Sequence, residues 1–474
     1  MSIYQNPLET RYASKEMLNL FSEETKFLTW RDCWIALAEA EKELGLSISD
    51  EEIEDLKNNR ENLNLERAKE IEREIHHDVM SHIRAYGEVA KKAKGIIHLG
   101  ATSAFVTDNT DFIIYKKALL LIKRRLITVI DSLTKLCLKY KDLPVLGYTH
   151  LQPAQPTTLG KRMSLWLYDL YLDALDLENL LQNLVTRGVK GTTGTQASFM
   201  ELFNQDSEKV KKLDELVSKK LGFERSVPVS GQTITRKWDV KILNVLSGIA
   251  QSAHRAANDI RILQHSWQLE EPFDKKQVGS SAMPYKRNPI LCERMSSLAR
   301  YVINNVLNAA YTFAFQFLER TLDDSANRRI SIPEGFLATD SILIIYQKVL
   351  NDLNVYEEVI NKHLEENLPF FATENILMEA VKSGGDRQEL HEVIRDYAMK
   401  QVAAIRRGES YNLIEELKKS GKFKLSQEKW EKISDFYSYT GRASKQVEEF
   451  VNEYITPLIE ENRAFVGIES EIRV

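Results

Sequence analysis

Between residues 242 and 267, Ile242, Leu246, Ile249, Ala253, Ala256, Ile260, Leu263 and Trp267 recur at alternating spacings of four and three. That is a heptad seam about seven turns long, and it predicts left-handed, coiled-coil-like packing of long helices. The two alanines in its middle allow a neighbouring helix to approach closely. Gly and Pro are scarce, at 20 and 11 in 474 residues, and few segments alternate like strands. The chain therefore reads as all-α.

Other long helices fall around the seam. One is expected over about residues 108–141, stopped before Pro144. A second starts after Pro156, near Thr158; its stretch 165–172 is apolar almost all round and predicts burial. Asp169, Asp173 and Asp176 share one face of it and read as a solvated stripe. A helix from Pro289 to about Arg320 and one from Pro333 to about Val359 complete a central elongated five-helix bundle. Shorter helices precede it and resume after Pro369. The expected division is an N-terminal helical domain at 1–101, the bundle domain at 102–362, and a C-terminal helical domain at 363–474.

Composition excludes several classes. Charged residues make up 28% and hydrophobic ones 43%, ordinary for a globular protein. The formal net charge of -5 gives no reason to expect nucleic-acid binding, so a phosphate site would be local. Cys33, Cys137 and Cys292 are far apart and form no CxxC, which argues against a disulfide framework or cysteine zinc site and suits a reducing cytosol. The start of the chain has no apolar signal core. The uncharged run 301–318 is of membrane-spanning length, but Asn304, Asn305, Asn308 and Gln316 make it a buried bundle helix instead.

Four segments could carry chemistry. Gly279-Ser280-Ser281-Ala282-Met283-Pro284-Tyr285-Lys286-Arg287-Asn288-Pro289 combines a flexible glycine, two hydroxyls and two cations. It runs into a helix start with Asn288 as expected N-cap and Pro289 at the first helical position. Such a segment can bind an anion and present a hydroxyl under a positive field. His150 sits among polar groups in Thr149-His150-Leu151-Gln152-Pro153-Ala154-Gln155-Pro156, where two prolines stiffen the backbone; it is either structural or a general acid–base group. His76, His77 and His82 cluster, but their spacing gives no paired metal site, and an anion or leaving-group contact fits better. Arg320-Thr321-Leu322-Asp323-Asp324-Ser325-Ala326-Asn327-Arg328-Arg329 is either a solvated turn with local ion pairs, slightly the simpler account, or a phosphate clamp.

Together with Gly100-Ala101-Thr102-Ser103 and Lys190-Gly191-Thr192-Thr193-Gly194-Thr195, these segments resemble the fumarase/aspartase superfamily. Within it they resemble the branch that releases fumarate from adenylosuccinate. Arg11-Tyr12-Ala13-Ser14 and His77-Asp78-Val79-Met80 add to the likeness, which runs in order from about residue 4 to beyond 390. The resemblance implies an all-α homotetramer with a twenty-helix core and active sites shared between subunits. It implies no metal and no cofactor. The reaction would be β-elimination with Ser280 as base, His150 as acid and Lys286 supporting the serine alkoxide. Thr102, Ser103, Thr149, Lys286 and Asn288 would contact the fumarate portion, and Gln232 the succinyl group or its surroundings. Arg11, Tyr12, Arg320, Ser325 and Arg329 would hold a nucleotide phosphate. His77 and Asp78, with His76 beside them, would lie near base and ribose, and Arg294 would be a further binding cation; Glu293 would support His150 or the loop. The partners so implied are adenylosuccinate and the succinyl-carboxamide ribotide as substrates, with AMP, AICAR and fumarate as products. The alternatives are another fumarate-releasing member, or a catalytically silent protein of the same fold.

Overall fold

The computed structural model describes residues 3–274, 276–277, 279, 282–283, 285–433 and 435–467. Its elements used below are α1 (Glu23–Glu43), α2 (Asp78–Val89), α3 (Ser103–Lys139), the hairpin β1 (Pro144–Thr149) and β2 (Gln152–Thr158), and α4 (Leu159–Asn183). There follow α5 (Lys237–His265), the short strand β3 (Leu269–Glu270), α6 (Ile290–Ala314), α7 (Asp324–Asn351), the short strand β4 (Asn354–Val355) and α8 (Glu357–Lys382). The five long helices α3 to α7 pack as one bundle: α5 lies against α4, α6 and α7, and α3 against α4 and α7. At about 1.5 Å per residue, the 37 residues of α3 extend about 55 Å.

The heptad seam is the centre of that bundle. Ile242, Leu246, Ile249, Ala253, Ala256, Ile260 and Leu263 are all buried. Trp267, expected as its last member, is 71% exposed. The helix has already ended at His265, and a left-handed backbone at Trp267 (φ 61°) lets Gln268 N–H reach the Leu263 carbonyl at 2.9 Å. That closing turn swings the indole outward.

Four further expectations need correction. Helix α7 begins at Asp324, not at Pro333, which lies inside it. Its first turns stay helical because buried ion pairs hold them: Arg236 Nε donates to Asp324 at 2.6 Å and Arg328 Nε to Asp239 at 2.7 Å. Pro369 likewise lies within α8. Helix α6 ends at Ala314, well short of Arg320, because Gln232 N–H takes the Glu319 carbonyl at 3.1 Å and Arg320 Nη1 donates to Gln232 Oε1 at 3.0 Å. Asp173 is not on a solvated stripe; it is buried against α5 at Gly248, where an added Cβ would lie 2.9 Å from Asp173 Oδ1. Burial pushes its carboxyl up to about 7, while Asp169 pairs with Arg255 at the surface. On the same helix Leu165, Tyr168 and Leu172 are exposed within the single chain, because the bundle occupies only the opposite side of α4. Among the described residues no helix is long and apolar enough to cross a membrane.

All three cysteines are free and buried, Cys33 in the N-terminal cluster around Trp30 and Trp34, Cys137 and Cys292 in the bundle core. Burial pushes the Cys33 thiol up to about 12 and raises the other two as well.

Glu41 on α1 is fully buried and neither carboxylate oxygen has a partner among the described residues. Burial pushes its carboxyl up to about 9. A carboxyl with a raised folded pKa costs stability above its unfolded value, increasingly as pH rises toward the folded value. Glu41→Met is therefore expected to raise Tm, with a gain near zero at pH 4.5 that grows to roughly 2–3 kcal/mol near pH 7. Thermal melts at pH 5 and pH 8 check this; an equal gain at both would assign the effect to packing alone.

Candidate active site

The hairpin β1–β2 was not legible as strands. Two prolines sit in β2, and the register slips at a bulge between Leu146 and Tyr148. Gly147 is required there, since a Cβ would stand 2.3 Å from the Gln155 carbonyl. At the tip, His150 (φ 54°) and Leu151 (φ 56°) are both left-handed, the backbone of a two-residue hairpin turn but unusual for side chains of this size. The hairpin packs on α8, Gln155 reaches Glu374, and Arg162 Nη2 donates to the Leu146 carbonyl at 2.6 Å. His150 itself is exposed and makes no hydrogen bond or ion pair with another described residue. A left-handed turn thus presents an exposed imidazole at its tip. Thr149 is exposed beside it.

Ser280 and Ser281 lie outside the described residues. Asn288 does not cap α6. Its Nδ2 donates to the Gly279 carbonyl at 2.9 Å, and an added Cβ on Gly279 would lie 1.9 Å from the Lys286 carbonyl. Glu271 caps the helix instead, accepting Leu291 N–H at 2.8 Å and Cys292 N–H at 2.9 Å. An anion at a helix N-terminus satisfies both the free N–H groups and the dipole, which a neutral amide does less well. Burial nevertheless raises the Glu271 carboxyl, against the lowering effect of those two N–H groups.

The cations divide into three contacts. Tyr12, at the end of the turn Leu8–Tyr12, lies 5.9 Å from the Arg294 guanidinium, with exposed Arg11 beside it. Arg329 pairs with Asp78 at 3.4 Å. Arg320 holds Gln232, and Arg187 ties the Gln232 carbonyl (2.8 Å) to that of Gly191 (2.7 Å), joining the glycine–threonine loop to this point. The 320–329 segment is thus not a simple solvated turn. Asp324 and Arg328 are buried in the ion network, while Arg320 and Ser325 are half-buried and Arg329 is exposed.

The histidine cluster separates. His76 is exposed in a left-handed position ending one helix (φ 52°), and His77 is the N-cap of α2, its Nδ1 accepting Met80 N–H at 3.2 Å. His82 faces inward, stacked 3.7 Å from Phe27, and burial pushes it down to about 4. Thr102 is the N-cap of α3 with no side-chain cap bond, so its hydroxyl and that of Ser103 border the free N–H groups of a long helix.

Lys26, which the sequence did not single out, places its ammonium 5.0 Å from Phe27 and 5.3 Å from Trp30. Burial lowers its pKa, and it feels the charges of Asp111, Arg329 and Asp78. Its only signal was a lysine among aromatics on a buried helix. Among the described residues no hydrogen bond or ion pair joins His150 at the hairpin tip to Lys286, to Asn288 or to the cations along α2, α6 and α7.

A family model described as a lyase matches residues 11–304, and a model of the adenylosuccinate lyase C-terminus matches residues 369–450. The fold is shared with solved structures of low identity. The 3-carboxy-cis,cis-muconate lactonizing enzyme from Pseudomonas putida superposes with TM-score 0.83 at 22% identity, covering 96% of this chain and 99% of that one. The fumarate lyase from Mesorhizobium sp. BNC1 gives 0.82 at 22% identity, covering 95% and 100%. The fold is therefore that of the fumarase/aspartase lyases. Relatives narrow this: the adenylosuccinate lyase of Saccharomyces cerevisiae is 46% identical over 470 residues, 98% of each chain. That of Schizosaccharomyces pombe is 47% identical, covering 96% of this chain and 95% of the relative, and that of Schistosoma mansoni 44%, covering 99% of each. The chain belongs to the adenylosuccinate lyase family.

Proposed function

We propose that this protein eliminates fumarate from adenylosuccinate, giving AMP, and from the succinyl-aminoimidazole carboxamide ribotide, giving AICAR. Kinship along nearly the whole chain with adenylosuccinate lyases carries the reading. Ser280 removes the proton on the carbon β to the leaving nitrogen, and His150 protonates that nitrogen. The C–H pair becomes the new C=C bond as the C–N bond breaks. The carbon acid is weak, so most of the barrier is lowered by stabilising the doubly charged carboxylate that develops. Thr102, Ser103, Thr149, Lys286 and Asn288 supply donors and charge for it. The free hydroxyl of Thr102 at the start of α3 supports this role.

Arg11, Tyr12, Arg320, Ser325 and Arg329 hold the phosphate, with Arg294 adjoining Tyr12. Gln232 lies at the succinyl end, and His76, His77 and Asp78 near base and ribose. Asp78 is already paired with Arg329, so phosphate and ribose contacts would be coupled. Ultraviolet absorbance with adenylosuccinate, argininosuccinate and malate tests the reading. Conversion of adenylosuccinate alone supports it; turnover of argininosuccinate instead would keep the elimination chemistry and overturn the phosphate clamp.

The exposed hairpin tip that carries His150 supports completion of the site by other subunits. So do the apolar side chains that a single chain leaves exposed: Leu165, Tyr168 and Leu172 on α4, Tyr311 on α6, and Phe315, Phe317 and Leu318 beyond it. Sedimentation equilibrium is expected to give four times the 54.6 kDa chain mass. A monomer that still turns over would remove the shared-site account.

A further inference from the structure

Arg287 stands between Lys286 and Asn288, and by charge alone it would be a third group for an anionic substrate. Its own contacts point elsewhere. Nη1 donates to Glu270 Oε2 at 2.9 Å, and the guanidinium lies 5.0 Å from the Phe273 ring. The same Glu270 oxygen accepts the Tyr356 hydroxyl at 2.6 Å. Glu270 is on β3, paired with Asn354 of β4, and Tyr356 follows β4 directly. The Arg287 carbonyl also accepts Gln264 Nε2 at 3.2 Å. The carboxylate side chain is only 13% exposed, so this pair is less screened than an ordinary surface ion pair.

We propose that Arg287 is a positioning residue with no substrate contact of its own. Its bond to Glu270, a carboxylate that Tyr356 also holds, fixes the backbone that aims Lys286 on one side and Asn288 on the other. The inference rests on the proposed function for the roles of those two neighbours. The division of labour between adjacent acids follows: Glu271 holds the start of α6, and Glu270 holds Arg287, three residues before it. A planar guanidinium can lie over Phe273 while donating to a carboxylate, which an ammonium cannot reproduce.

Arg287→Lys and Glu270→Gln, each made in the full-length protein, are expected to lower kcat for adenylosuccinate by roughly tenfold, with KM within about twofold of the parent. The double variant is expected to lose no more than either single one, because both remove the same contact. Amide hydrogen exchange at residues 285–288 is expected to be faster in Glu270→Gln, with Tm unchanged. A rise in KM confined to Arg287→Lys would make Arg287 a substrate ligand and overturn the proposal, as would multiplicative losses or unchanged exchange. Absence of adenylosuccinate turnover in the parent protein would count against the proposed function instead, and the exchange comparison would still decide the role of Arg287.

Discussion

Replacing His150 by asparagine is expected to lower turnover of adenylosuccinate by about a thousandfold, within the usual contribution of a general acid. Asparagine is the informative choice because position 150 has φ 54°, a conformation it tolerates better than alanine does. The hairpin and the fold should survive, since the imidazole is exposed and makes no hydrogen bond or ion pair with another described residue. The loss should fall on kcat, the signature of an interaction made in the transition state. Near-normal turnover in His150→Asn with an unchanged melting temperature would end the acid assignment. A large rise in KM with kcat intact would make His150 a binding group instead.

The second large effect concerns stability. Arg236 donates to Asp108 at 3.0 Å and to Asp324 at 2.6 Å, and all three side chains are buried. Arg236→Met would take from the buried Asp108 and Asp324 carboxylates the guanidinium they share where α3, α5 and α7 meet. A loss of about 3–5 kcal/mol is expected, because breaking a buried pair strands the remaining charge. The half-exposed pair Arg60–Asp32 is the internal control, with Arg60→Met expected to cost under about 1 kcal/mol. The network also sets an acid limit. Burial raises the Asp108 carboxyl, but Arg236, Arg328 and Arg187 together bring it below its ordinary value. A depressed carboxyl contributes stability above its unfolded pKa and loses it as pH falls through the folded one. Arg236→Met should therefore flatten the loss of stability below pH 4. Denaturant melts at pH 3.5 and pH 7 measure both effects.

The bundle was legible because its signal is periodic and local: seven of the eight seam residues are buried as expected. Trp267 failed because a helix end depends on a tertiary hydrogen bond and a left-handed residue, which spacing does not encode. Pro333 failed as a helix start for a related reason. Ion pairs from α5, distant in sequence, outweigh the local cost of proline inside a helix. The hairpin bearing His150 was hidden because Pro153 and Pro156 argue against strand. The cap of α6 was assigned to Asn288, the nearest suitable residue; the structure gives it to Glu271, which only the folded loop brings to the helix. The candidate site residues were read as segments of hydroxyls, cations and a histidine, a reading that needs no geometry. What could not be read was partnership: Asp78 with Arg329, Gln232 with Arg320 and Glu270 with Arg287 span 251, 88 and 17 residues of chain.

The three buried thiols turn the protein into its own clock. None is accessible to a thiol reagent in the folded chain, and burial keeps all three from ionising at neutral pH. Labelling can proceed only through opening, at a rate set by how often the surrounding packing lets go. Cys33 times the N-terminal cluster, while Cys137 and Cys292 time two different helices of the bundle. Mass spectrometry of partly labelled chains would thus show, without any introduced probe, whether the bundle and the end bearing Cys33 come apart together or in sequence.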